Sequence, residues 1–130
     1  MQNYHAVVWL DHHEARVFFF DRHDFKEVDV ATTKPNSHLH HKAGSMTGKK
    51  VPEDQDFFHH IVEAMKPAME WLILGPGLAK NELVKHIAKH DHGLKERVLG
   101  VETVDHPTDH QIVAHARAFF READKSRPAH

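Results

Sequence analysis

Trp71–Lys80 (WLILGPGLAK) contains an apolar strand, a glycine-rich turn and the start of a helix in direct succession. The apolar run Trp71–Leu74 predicts a short strand that is buried on both faces. Residues 75–77 (Gly-Pro-Gly) end that strand, and the apolar residues that follow share one helical face: Leu83, Val84, Ile87 and Ala88. A strand that turns directly into a helix is typical of a β–α–β crossover, so this stretch predicts an α/β fold.

Three predicted strands precede this unit. Tyr4–Leu10 is apolar on both alternating faces, as expected of a central strand. Ala15–Phe20 follows a short polar turn and is expected to pair with the first strand as a hairpin. Phe25–Ala31 alternates imperfectly between charged and apolar residues, which favours a half-exposed third strand.

Helices and one further strand complete the predicted order. Asp54–Lys66 has a helical apolar face, and Arg97–Val104 is a strand. Thr108 and Gln111 have the spacing of a capping box that opens a last helix, which has one apolar face: Ile112, Val113, Ala116, Phe119 and Phe120. The order is therefore three strands, a loop, then helix, strand, helix, strand and helix. This predicts an α/β fold with a mixed sheet and helices packed on it, the ribonuclease H-like arrangement.

Length and composition narrow the class of protein. A chain of 130 residues fits one domain, expected at residues 1–124, with residues 125–130 as a frayed polar tail. The absence of cysteine excludes disulfides and thiolate metal sites. Lysine and arginine total 17 against 19 acidic residues, so bulk positive charge does not attract nucleic acid. With no membrane-length apolar run and no signal-peptide pattern, a cytoplasmic protein without membrane contact is expected.

The 16 histidines are the unusual feature of the composition, and they raise the question of a metal site. His38 and His40 lie close together in the predicted loop, and the spacing of His86 and His90 puts both on one helical face. No His-Glu-x-x-His motif is present, so the sequence predicts no cofactor and no defined catalytic metal site. A metal-dependent hydrolase that uses the histidines and Asp11 remains an alternative.

A ribonuclease H-type nuclease is a second catalytic possibility, because Asp11 ends the first strand and Glu63 lies on the first helix. Such a site requires a further carboxylate at the end of the fourth strand. That strand ends Leu74-Gly75, without an acid. The sequence therefore disfavours nuclease chemistry, and Asp11 is equally suited to a hairpin turn.

Residues 32–52 form the predicted loop, and they carry the strongest candidates for contact with RNA. Lys42, Lys49 and Lys50 place local positive charge on flexible chain, which suits contact with a phosphate backbone. Three neighbouring histidines would make such contact sensitive to pH: His38, His40 and His41.

The turn after the fourth strand is a second candidate for a phosphate contact. Gly75, Gly77 and Lys80 lie at a helix start, where free amides attract anions. The turn is not a nucleotide-binding P-loop, because the Gly-Lys-Ser/Thr ending is missing.

The chain resembles the middle domain of archaeal and eukaryotic class-one peptide-chain release factors and of Pelota, and it resembles their bacterial release-factor-like relatives more closely. The resemblance rests on the order of elements, the first strand that ends in Asp11, the loop before the first helix, Trp71–Lys80, and Val101–Thr108 (VETVDHPT). It implies a ribonuclease H-like fold that works at the ribosome or on ribosomal RNA.

In release factors, the resemblance further implies, this loop carries a Gly-Gly-Gln that promotes peptide hydrolysis. Here residues 43–46 read Ala-Gly-Ser-Met, and residues 32–52 contain no glutamine. The favoured hypothesis is therefore a non-catalytic, translation-related factor that associates with the ribosome or RNA and does not release peptides. Besides the metal-dependent hydrolase, an oligomeric interaction domain without nucleic acid remains an alternative, and the sequence leaves the oligomeric state open.

Overall fold

A five-stranded mixed sheet forms the centre of the protein in the computed structural model, which describes residues 4–32 and 55–125. The strands lie in the spatial order β3-β2-β1-β4-β5. β1 pairs antiparallel with β2, and β2 with β3, whereas β4 is parallel to both β1 and β5. Their bounds are β1 His5–Leu10, β2 Glu14–Phe20, β3 Phe25–Ala31, β4 Glu70–Gly75 and β5 Val98–Thr103.

Within the described residues, three α-helices pack on this sheet: α1 Gln55–Met65, α2 Ala79–His90 and α3 Asp109–Lys125. The predicted fold class and the predicted order of strands and helices are confirmed. A 3-10 helix at His92–Arg97 was not predicted. None of its residues is buried, so its sequence has no apolar periodicity from which a helix could be inferred. The predicted loop lies outside the described residues after Thr32, and so does the predicted tail after Lys125.

The two faces of the sheet are covered by different helices. α1 and α2 pack on one face, where they bury the large side chains Phe57, Phe58, Trp71 and Leu83 in a common cluster. α3 packs on the other face against Val7, Trp9, Phe18, Leu72 and Leu74. Because both faces of β1 and β4 are covered, these two strands are apolar throughout their central residues.

The capping box at the start of α3 is present. The amide of Thr108 donates to Gln111 Oε1 at 2.8 Å, and the amide of Gln111 donates to Thr108 Oγ1 at 3.2 Å. The predicted apolar face of this helix is also correct: Ile112, Val113, Ala116 and Phe120 are buried. Phe119 is only partly buried, and it lies over Gly100, where a Cβ would collide with its ring.

The apolar face predicted for α2 is only partly correct, because the buried face is rotated by about one residue around the helix. Ala88 is exposed and Val84 is partly buried, whereas His86 is 6% exposed and takes a core position. The buried stripe contains Ala79, Lys80, Leu83, His86 and Ile87. A histidine fits this stripe because its Nδ1 lies 2.7 Å from Gln55 Oε1, which satisfies one ring nitrogen.

Gly75 allows the ends of β1 and β4 to approach each other. A Cβ at this position would run into the backbone carbonyl oxygen of Leu10. That oxygen belongs to a buried central strand and cannot swing aside as a flexible side chain can. By contrast, a Cβ added to Gly77, two residues further along the turn, would meet no atom within 4 Å.

We expect Gly75→Ala to lower the free energy of unfolding by about 1–3 kcal/mol, because the new methyl group forces β1 and β4 apart. Chemical denaturation measures this loss. Gly77→Ala is the matched control and should change the free energy of unfolding by less than about 0.5 kcal/mol. Equal losses in the two variants would contradict the steric explanation.

Candidate nucleic-acid interface

The carboxyl ends of three parallel strands meet at one edge of the sheet, which we call the carboxyl edge. β1 ends there at Leu10, β4 at Gly75 and β5 at Thr103. The segment after β5 is tied to the turn after β4, because the amide of Val104 donates to the Gly75 carbonyl at 3.0 Å. Ligands of open α/β sheets bind outside this end of the strands, so this edge is the natural place for a site.

In the Gly75–Gly77 turn, Gly77 is exposed to solvent, and the side chain of Lys80 forms a hydrogen bond to the turn. Lys80 is 7% exposed, and its Nζ donates to the Gly77 carbonyl oxygen at 2.5 Å. The ammonium therefore lies beneath the turn, close to the positively polarised N-terminus of α2. Gly75 is buried as well, and Lys80 uses its ammonium in this hydrogen bond, so Gly77 is the one exposed residue of the three that were predicted to contact an anion.

Asp11 follows β1 at the same edge, and its carboxylate closes the β1–β2 turn. Its Oδ1 accepts from the amides of His13 at 2.8 Å and Glu14 at 3.0 Å. Glu63, which a nuclease site would have required to face the sheet, is instead exposed and forms an ion pair with Lys66 at 2.7 Å. Glu63 therefore does not face the sheet, and the described residues contain no ribonuclease H-type carboxylate set at this edge.

An open cleft of about 460 Å³ lies beside the turn, between the end of β5 and the start of α3. Trp9 is fully buried and does not line the cleft, but its indole Nε1 donates to the carbonyl of the lining residue Asp105 at 2.7 Å. The ring of His106 lies 5.0 Å from the Trp9 ring. Two histidines line the cleft, His106 and His115, together with the apolar side chains of Leu74, Pro107 and Ile112.

The predicted metal candidates His86 and His90 do approach each other, with ring centroids 4.8 Å apart. His86 Nε2 also lies 3.7 Å from Asp91 Oδ2. Within residues 4–32 and 55–125, however, neither histidine belongs to a group of three ligand atoms close enough to share an ion. The other two candidates, His38 and His40, lie outside the described residues.

The loop cations and histidines also lie outside the described residues: Lys42, Lys49, Lys50, His38, His40 and His41. The described chain before them ends at Thr32, whose amide donates to the His13 carbonyl at 3.1 Å. Because β3 runs parallel to β1 on the far side of β2, Thr32 lies at the carboxyl edge. The segment that contains the loop therefore starts from the same edge as the Gly75–Gly77 turn.

Comparison with solved structures finds this fold in translation factors. Pelota of Archaeoglobus fulgidus has a TM-score of 0.61 at 11% identity, over 88% of this chain and 30% of that one. Dom34 of S. cerevisiae has a TM-score of 0.57 at 16% identity, over 88% and 32%. The archaeal translation termination factor aRF1 has a TM-score of 0.55 at 16% identity, over 96% and 39%.

The chain has the fold of a Pelota and release-factor domain. The resemblance inferred from the sequence is therefore confirmed at the level of the fold. The chain spans about a third of the length of the structures it matches. Comparison with protein-family models and with curated proteins finds no significant match. No helix in the described ranges is long and apolar enough to cross a membrane.

A group of carboxylates on β3 and α3 was missed by the sequence reasoning. Arg16 Nη1 donates to Asp109 Oδ1 at 2.6 Å, and Glu27 and Asp29 lie beside this pair on one face of the sheet. Hydrogen bonding to Asp29 raises the pKa of Glu27 to about 7, with smaller contributions from partial burial and from Asp109. The alternation of β3, which puts Glu27 and Asp29 on the same face, was the available signal.

This raised pKa predicts a pH-dependent contribution to stability. The folded protein holds the Glu27 proton more tightly than the unfolded chain, whose ordinary value is 4.5. The contribution of protonated Glu27 to the free energy of unfolding is therefore fully present below pH 4.5 and is lost as the pH rises through about 7. We expect Glu27→Gln to match the wild type in thermal stability at pH 5 and to exceed it at pH 8.

Because Glu27 is exposed to solvent, the difference at pH 8 should not exceed about 1 kcal/mol. Thermal unfolding of both proteins from pH 5 to pH 8 measures this difference in stability. Both proteins contain the same histidines, so the effect of histidine titration on stability cancels in the difference. Asp29→Asn removes the hydrogen-bonding carboxylate and should reduce the same pH dependence. A constant difference between Glu27→Gln and wild type across this range would contradict the raised pKa.

Proposed function

We propose that this protein is a translation-related factor that contacts ribosomal RNA through its carboxyl edge and does not release peptides. The observation that carries the proposal is the fold shared with Pelota, Dom34 and aRF1 over 88–96% of the chain. Dom34 is described as a translation termination-like factor involved in RNA quality control, and aRF1 as a termination factor. The common element of these roles is action on the translation apparatus.

The share of those factors that the chain covers limits the role proposed for it. At 30–39% of their length, it corresponds to one domain of each. We therefore propose contact with the ribosome, and no reading of codons. Residues 32–52 contain no glutamine, so the water-positioning side chain of a peptide-releasing loop is missing from this segment.

The charge distribution supports the carboxyl edge as the contact surface. The chain as a whole is nearly neutral, at −2 with histidine uncharged, so long-range attraction to RNA is weak. Local cations must then supply the contact. Lys42, Lys49 and Lys50 occur in the segment that starts at this edge, and the Gly75–Gly77 turn leads into the positively polarised N-terminus of α2.

Cosedimentation with bacterial ribosomes over a salt series, at pH 6 and at pH 7.5, tests the proposal. Binding should weaken as salt rises, because phosphate contacts release counterions. Binding should also be tighter at pH 6, where His38, His40 and His41 gain charge. Absence of binding at low salt and at both pH values would reject ribosome contact.

Replacement of Lys42, Lys49 and Lys50 by alanine should leave the fold intact, weaken ribosome binding several-fold and flatten its salt dependence. The matched control replaces Lys85, Lys89 and Lys95, which are exposed and lie away from the carboxyl edge, on α2 and the 3-10 helix. This control changes the net charge equally and should bind nearly as wild type. Equal loss in both triple variants would show that net charge, and not the loop, determines binding.

A further inference from the structure

The opposite end of the sheet, where β1 and β4 begin, brings together three side chains that can bind a metal ion. His5 is the first residue of β1, and Glu70 is the first residue of β4. They are direct partners in the parallel register, so both side chains lie on the face of the sheet that α3 covers. Asp124 lies one helical turn beyond the buried Phe120 and reaches the same place.

The distances among these groups suit a shared ion. His5 Nε2 lies 3.2 Å from Glu70 Oε1, and one ligand atom from each of the three residues lies within 4.8 Å of the others. Zinc bonds of about 2.0–2.2 Å in tetrahedral geometry separate neighbouring ligand atoms by roughly 3.4 Å. The histidine and the glutamate are close to that separation, and a carboxylate oxygen of Asp124 lies within 4.8 Å of both ligand atoms.

The surroundings hold two of the ligands in place. The side chains of His5 and Glu70 are 23% and 12% exposed, and the rings of Phe120 and Phe20 lie 4.3 Å and 6.1 Å from the imidazole. This packing limits the rotation of His5. An imidazole and two carboxylates are ligands that zinc accepts, and three protein ligands leave a position for water.

The described part of the chain also contains histidine–carboxylate pairs that have no third ligand among the described residues. His12 lies 2.9 Å from Glu82, and His115 lies 2.6 Å from Glu102. Across residues 4–32 and 55–125, the group at His5 is the one place where three ligand atoms converge. The two simpler pairs therefore serve as internal controls for unspecific zinc binding by a histidine-rich chain.

We propose that His5, Glu70 and Asp124 bind one Zn²⁺ ion, with water in the fourth position. The ion joins the starts of the two central strands to the last turn of α3. The site is independent of the proposed ribosome contact, because it lies at the other end of the sheet from the Gly75–Gly77 turn. Its role is to hold α3 against the sheet, and Zn²⁺ therefore stabilises the folded protein.

Isothermal titration calorimetry with Zn²⁺ tests this site on the untagged 130-residue chain, purified without nickel and treated with a chelator. The wild type should show one site per chain that is tighter than any background binding, and saturating Zn²⁺ should raise its melting temperature. Asp124→Asn should weaken this site at least tenfold and remove most of the thermal shift. Because Asp124 is exposed, this variant should fold as the wild type does without metal.

Glu70→Gln is the second test variant and should give the same loss. His115→Gln is the matched control, since it removes a histidine from a carboxylate pair and leaves the three proposed ligands intact. It should keep the tight site and the thermal shift. Wild-type binding in Asp124→Asn, loss of the tight site in His115→Gln, or the absence of a stoichiometric site in the wild type would each overturn the proposal.

Discussion

The parallel pairing of β1 with β4 is the constraint on which the rest of the structure depends. Both strands are covered on both faces, so their central residues must be apolar, and their backbones must pair with each other to satisfy buried amides and carbonyls. The β1–β2–β3 meander adds strands on one side, and β5 adds a strand on the other. Gly75 permits the close approach at the end of this pair, where any side chain would meet the Leu10 carbonyl.

Because the two central strands run in the same direction, the sheet has two chemically different ends. At the carboxyl edge, the strands pass into turns whose polar groups are satisfied locally, as the carboxylate of Asp11 and the ammonium of Lys80 show. At the amino end, the same register sets His5 directly opposite Glu70. A backbone constraint thus places side chains from distant parts of the sequence together, and no local motif is needed.

Periodicity and turn chemistry could predict the strands and α-helices, because each depends on residues close together in the sequence. The Thr108–Gln111 capping box and the apolar face of α3 are examples. The 3-10 helix could not be predicted, since it buries no residue. The core position of His86 also escaped prediction, because it depends on a hydrogen bond to Gln55 on another helix. The pattern of apolar residues within one helix does not show which residue of another helix will form a hydrogen bond with it.

The candidate sites also differ in whether the sequence alone could predict them. Cations in the loop and the glycine-rich turn were visible in the sequence because they are contiguous. The group of His5, Glu70 and Asp124 was not, although each residue extends an apolar face by one step: His5 precedes Val7 on β1, and Asp124 follows Phe120 on α3. Within a single strand or helix, a polar residue at the end of an apolar face is common and does not indicate a binding site. It indicates a binding site only when the ends of three elements meet at one point. Whether they meet depends on the register of the sheet, which the sequence of one element does not show.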